Sequence, residues 1–128
     1  MINQRRPDPA PRGDEATQAP SPPSDFTPFS AELQTTGRIA VLRLAGEVDL
    51  AVEDRMRDAL DALLDADAET LVVDLRALGY MDSTGVQRLL AAQVAADDAC
   101  RRLHVRLGDA ARRILVLCGV LGRFTEVR

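Results

Sequence analysis

The sequence predicts a small α/β domain, in which an antiparallel N-terminal hairpin leads into a mixed sheet with helices packed on it. Three observations carry this. From residue 29 onward, apolar residues switch repeatedly between the spacing of a strand and that of a helix. All seven prolines lie in the first 28 residues, which leaves about 100 proline-free residues, enough for one modest core. The apolar content of 46 % is rich in Ala, Val and Leu, with one Tyr, three Phe and no Trp, which suits tight helix-on-sheet packing.

The elements follow in order. "FSAELQTT" reads as a weak strand, "TGR" as a turn and "IAVLRLAG" as a strong strand, and two strands joined so tightly pair antiparallel. After "GEVD", the stretch "LAVEDRMRDALDALLDADA" places Val52, Met56, Ala59, Leu60, Leu63 and Leu64 at helical spacing, with Asp49 positioned to cap the helix. "TLVVDL" (Thr70 to Leu75) is a near-continuous apolar run, as expected of a strand covered on both faces. "VQRLLAAQVAA" repeats the helical stripe through Val86, Leu89, Leu90, Gln93 and Val94, and "LHVRL" is the next strand, with His104 on its exposed side. "DAARRILVLCG" opens on Asp109 as a cap, runs apolar through Ile114, Leu115, Leu117 and Cys118, and stops at Gly119. "RFTEV" is a last short strand. The order β-β-α-β-α-β-α-β implies right-handed parallel crossovers. Their strand-to-helix loops, "GEVD", "GYMDST" and "GD", then emerge on one rim, where a site is expected.

Composition excludes several functions. Residues 1–25 combine proline with few large apolar side chains and read as a disordered tail, with the folded domain spanning 26–128. The net charge of −4 offers no basic face for nucleic acid, and the pairs Arg101-Arg102 and Arg112-Arg113 read as solvated charge. No stretch is long and apolar enough for a membrane span, and the N-terminus lacks a signal peptide's apolar run, so a cytoplasmic location is expected. Cys100 and Cys118 have neither CxxC spacing nor a secretory context and are expected to be reduced, with Cys118 buried. No metal site is expected, and the lone His104 reads as a strand residue rather than a ligand.

The rim holds the most informative segment, "MDSTG" (Met81 to Gly85). Thr84 followed by Gln87 fits a capping box, and Asp82 adds a favourable charge at the helix N-terminus. Ser83 is left without a structural task. A serine at that place can accept a phosphate, because free amides and the helix dipole accommodate an anion there. Catalysis is not expected: all 16 basic residues are Arg, so a phosphate-binding loop lacks its Lys, and Ser83 has no base besides a distant His104.

"RLAGEVD", "LVVDLRALGYMDSTGVQRLL" and "LGDAARRILVLCGVLGRFTEV" together resemble the STAS domain family, specifically the bacterial anti-sigma factor antagonists, over about Ser30 to Arg128. The resemblance implies the STAS-like mixed sheet already inferred, and a partner-switching role. The unphosphorylated antagonist binds an anti-sigma factor, a serine kinase of the GHKL type, and frees the sigma factor. Phosphorylation of the serine after the motif's Asp dissolves the complex, and a PP2C-type phosphatase reverses it. Carried over, Ser83 is the phosphorylation site, and Asp49, Asp82, Ser83, Thr84 and Gly85 are partner-binding residues. No cofactor, direct nucleic-acid contact or enzymatic activity is implied. "GVQR", with Gln87 and Arg88, stands where many antagonists have "GLG", and "ACRR" replaces the usual paired Gly before the fourth strand. The alternative reading is a STAS subunit without a phosphorylation cycle, in a lipid-transport or stressosome-like assembly.

Overall fold

A computed structural model describes residues 27–127. The proline-rich segment assigned as a tail lies outside the described residues. The elements are β1 (Ser30–Thr36), β2 (Ile39–Val48), α1 (Glu53–Asp65), β3 (Thr70–Met81), α2 (Ser83–Asp98), β4 (Arg102–Leu107), α3 (Asp109–Leu117) and β5 (Thr125–Glu126), with 3₁₀ turns at Leu50–Val52 and Leu121–Arg123. The sheet order is β1-β2-β3-β4-β5; β1 and β2 pair antiparallel and the later neighbours pair parallel, as the element order required.

Alternation along the strands builds the core. Ala40, Leu42 and Leu44 of β2, Leu71, Val73 and Leu75 of β3, and Leu103 and Val105 of β4 point to one face. They meet Met56, Leu60 and Leu63 of α1, Val86, Leu89, Ala92 and Ala96 of α2, and Ala111 and Leu115 of α3 in a single cluster. The three helices thus share one face of the sheet. Val72 and Asp74 point the other way, and although both are buried, Val72 does not join this cluster. Both faces of "TLVVDL" are therefore buried, as expected, but the helices cover only one of them; on the other, Val72 lies between Val41 and His104, and Asp74 between Arg43 and Arg106.

Some boundaries and stripes differ from the sequence reading. β3 runs six residues past Leu75, because "RALGYM" pairs with the end of β2 through Ala45↔Ala77, Gly46↔Leu78, Glu47↔Tyr80 and Val48↔Met81. A register shift where Arg43↔Asp74 gives way to Ala45↔Ala77 accommodates an extra residue in β3. On α2 the packed positions are Ala92 and Ala96 rather than Gln93 and Val94, and Val94 is 50 % exposed. Small side chains let α2 lie close to its neighbours, a geometric criterion that hydrophobicity alone does not report. At about 100° per residue, Leu117 stands about 200° round α3 from buried Leu115, so it faces solvent, and Cys118, expected to be buried, is exposed just beyond it. Gly119, at φ +72°, terminates α3 as expected. The N-cap of α3 is Gly108 rather than Asp109, which instead lies in the first turn, where its charge favours the helix.

The arginine pairs are not simply solvated. Arg101 donates to the carbonyl oxygens of Leu64, Ala66 and Ala68, satisfying acceptors that the end of α1 leaves open. Arg112 pairs with Glu126. Arg102 and Arg113 are exposed, as the sequence suggested.

The segment "ACRR" ends α2 with Cys100 at φ 58°, a left-handed conformation, while the Arg101 amide donates to the Ala96 carbonyl at 2.9 Å. This is a glycine's task performed by a residue with a Cβ. Cys100→Gly is expected to stabilise the domain by about 1 kcal/mol, from relief of left-handed strain partly offset by unfolded-chain entropy. The gain is measurable as a rise in Tm of about 4–8 °C.

Candidate functional site

The rim is assembled by the paired ends of β2 and β3. Val48 and Met81 are register partners, and the Asp82 amide donates to the Val48 carbonyl at 3.1 Å, so Asp49 and Asp82 leave the sheet side by side. The backbone at Asp82 is extended (φ −89°, ψ −177°), and its Oδ1 accepts from the Gly85 amide at 3.1 Å. Asp82 is therefore the N-cap of α2. Asp49 acts likewise on a smaller scale, its carboxylate accepting from the Ala51 amide at 3.0 Å and capping the 3₁₀ turn ahead of α1 rather than α1 itself.

This corrects the Thr84–Gln87 capping box. The helix starts at Ser83, which makes Thr84 its second residue, half-buried and already inside the first turn. The extended residue with an acceptor two to three positions ahead of free amides is Asp82, so the cap belongs there. Asp82→Ala is expected to cost about 1 kcal/mol and Thr84→Ala only a few tenths, which urea melts of the two variants distinguish.

Ser83 is exposed, at the first position of α2. It carries the exposed hydroxyl of "DSTG"; Thr84, which does not cap the helix either, is half-buried. Gly85 is buried, and a Cβ there would lie 2.5 Å from Met81 Cγ and 3.1 Å from Val48 Cγ1. Its absent side chain lets the first turn of α2 rest on the strand ends, and it presents no surface to a partner. Of the five residues proposed for partner contact, Asp49 and Ser83 are exposed, Asp82 and Thr84 are half-exposed, and Gly85 is a spacer.

Around Ser83 the helix-start residues have settled roles. Arg88 is paired with Glu53 at the start of α1, its Nε 2.9 Å from Oε2, so it ties α2 to α1; Gln87 is exposed. His104 pairs in register with Val72, nine strand residues short of Met81, roughly 30 Å along β3. It cannot serve Ser83 as a base.

The sequence reading missed the apolar part of the rim. Leu50, directly after Asp49, is 72 % exposed, Tyr80 is 50 % and Leu117 is 75 % exposed. Tyr80, Met81, Ile114 and Leu117 line a cleft of about 190 Å³ between the end of β3 and α3. The helical angle of Leu117 relative to Leu115 was the available signal. Among the described residues no group of three or more His, Cys, Asp or Glu could hold a metal ion, and no helix is long and apolar enough to cross a membrane.

Comparison with known proteins extends this description. The family described as "Mlab, STAS domain" matches residues 31–124. No curated protein matches the sequence. Among solved structures, an anti-sigma factor antagonist from Mycobacterium paratuberculosis is 22 % identical, with a TM-score of 0.68 over 81 % of this chain and 87 % of that one. The anti-sigma factor antagonist SpoIIAA in its unphosphorylated form is 20 % identical, with a TM-score of 0.63 over 77 % of this chain and 89 % of the other. The Bacillus cell fate determinant SpoIIAA in its phosphorylated form, also 20 % identical, gives a TM-score of 0.60 over 77 % and 92 %. At these identities the likeness speaks for the fold, and the family match runs from the second residue of β1 to Phe124, just ahead of the last strand. With its five-stranded mixed sheet, its helices on one face and the matched segment covering most of the described residues, this chain belongs to the STAS domain family.

Proposed function

We propose that the chain is an anti-sigma factor antagonist that binds an anti-sigma factor, a GHKL-type serine kinase, when Ser83 is unphosphorylated, and releases it when Ser83 carries a phosphate. The observation that carries this reading is the division of labour in "DSTG". Asp82 supplies the cap and Gly85 the close packing, which leaves the exposed Ser83 hydroxyl free for chemistry. A phosphate at the first residue of α2 meets the helix dipole, so the modified form stays folded. It also adds about −1.5 to −2 charges beside Asp82 and Asp49, which an interface fitted to a neutral hydroxyl does not tolerate. Exposed Leu50 and Tyr80 supply apolar contact next to the switch. That solved neighbours include antagonists, one of them in phosphorylated form, supports the reading.

On this proposal the protein is a binding module without a cofactor or catalytic residue. A PP2C-type phosphatase resets it in the cytoplasm, and residues 1–25 are a tail to a domain spanning 26–128. Intact-mass analysis after incubation with ATP and the GHKL-type kinases of its own cell tests it. One added phosphate is expected on the wild type and none on Ser83→Ala, which keeps kinase binding. A complex with another assembly that is indifferent to ATP, with no phosphate from any kinase, would instead establish a non-phosphorylated STAS subunit.

A further inference from the structure

The sheet face opposite the helices carries a cluster that the rim does not use. Asp74, at its centre, is 4 % exposed. Its carboxylate is nearly saturated by one residue: Oδ1 accepts from the backbone amide and Nε of Arg76 at 3.1 and 3.0 Å, and Oδ2 accepts from Arg76 Nη2 at 2.8 Å. The Arg76 fork holds the carboxyl below its ordinary range, so Asp74 stays ionised.

Two further guanidinium groups converge on the same carboxylate without bonding to it. Arg43 Nε lies 3.8 Å and Arg106 Nη1 3.9 Å from Oδ2, both beyond hydrogen-bond distance. Arg43 donates to Gln34, whereas Arg106 Nε is cut off from solvent and meets no acceptor. Three cations thus share one buried anion on a protein whose net charge is −4. Counting Glu32, the register partner of Arg43 on β1 and part of the same face, the cluster keeps about one positive charge beyond its carboxylates, and the Arg106 Nε donor remains unused.

Two open cavities adjoin it: one of about 450 Å³ lined by Ser30, Glu32, Arg43, Asp74 and Arg76, and one of about 540 Å³ lined by Arg76, Arg106, Arg112 and Glu126. Arg76 is common to both. We propose that this face binds a phosphate-class oxyanion, held by Arg43 and Arg106 across Arg76, with the Asp74–Arg76 fork as the fixed support. Planar guanidinium groups recognise tetrahedral oxyanions through paired, charge-assisted hydrogen bonds. The several convergent N–H donors, rather than net charge alone, favour a tetrahedral oxyanion with several acceptor oxygens over chloride. The proposal is independent of Ser83.

Calorimetric titration of the full chain with inorganic phosphate and with pyrophosphate, at ionic strength matched with sodium chloride, tests it. Pyrophosphate is expected to bind more tightly than phosphate, with Arg43→Gln and Arg106→Gln each weakening it about tenfold and Ser83→Ala leaving it unchanged. Both arginine variants keep the Asp74–Arg76 fork, and their circular dichroism and Tm serve as the folding control. Co-sedimentation with phosphatidate-containing vesicles, against vesicles of neutral lipid, distinguishes a headgroup from a free anion as the source. Binding in either arm that depends on Arg43 and Arg106 supports the site. No binding in both arms at millimolar anion, or binding that the two substitutions leave intact, overturns it.

Discussion

Ser83→Glu is expected to lose about tenfold in affinity for the kinase-type partner, and the phosphorylated protein about a hundredfold, while Tm holds steady or rises. The two effects have different physical origins. Binding falls because a new charge beside Asp82 and Asp49 must be desolvated against a surface that fits a hydroxyl, and like or unpaired charges at an interface cost several kcal/mol. Stability does not fall, because a negative group at the first position of α2 gains roughly 0.3–1 kcal/mol from the helix dipole. Surface plasmon resonance and a thermal melt on the same samples check both. If Ser83→Glu, or Ser83→Ala in parallel, destabilised the domain by about 1 kcal/mol or more, Ser83 would hold a structural role and the switch would lose its premise.

The largest stability effect is expected at Gly46. Its backbone lies at φ +90°, and a Cβ there would stand 2.2 Å from the carbonyl oxygen of Pro28 and 2.7 Å from that of Thr27. The chain entering β1 therefore crosses directly over this glycine. Phe29, which follows, is buried, has its carbonyl oxygen bonded by Arg55 Nη2 at 3.2 Å, and carries the Arg55 guanidinium 5.0 Å above its ring. Gly46→Val combines left-handed strain with backbone overlap that no rotamer relieves, and it has to unseat Phe29. A loss of about 2–4 kcal/mol and a fall in Tm of at least about 10 °C are expected. Gly37→Ala is the comparison: Gly37 also has positive φ, +62°, but nothing lies within 4 Å of its Cβ position, so only the backbone term of about 1 kcal/mol applies. Equal losses at the two positions would show that the Pro28 crossing contributes nothing.

Much of this was legible in one dimension. The switch of apolar period from strand to helix gave the order of all eight elements, and that order set the parallel crossovers. "MDSTG" between a strand and a helix marked the rim. What was misread depends on angles and neighbours. Sequence alone places the cap of α2 at Thr84, whereas Asp82 holds it, because a run of polar residues does not show where the backbone leaves the extended conformation. The exposed Cys118 is expected to be buried on sequence alone, because the apolar run through Leu117 continues past the angle at which α3 turns away from the sheet.

By itself the sequence determined the fold class, the expected site at the carboxyl ends of the strands and the serine to question, since these follow from periodicity and local backbone chemistry. Only the tertiary structure decided which residue caps, which glycine is crossed by backbone, and that Arg43 and Arg106 meet at Asp74, residues 31 positions and more from one another along the chain. Such contacts are set by strand register and by the extra residue accommodated in β3 near Asp74, and a register is a relation between distant segments that no local pattern encodes.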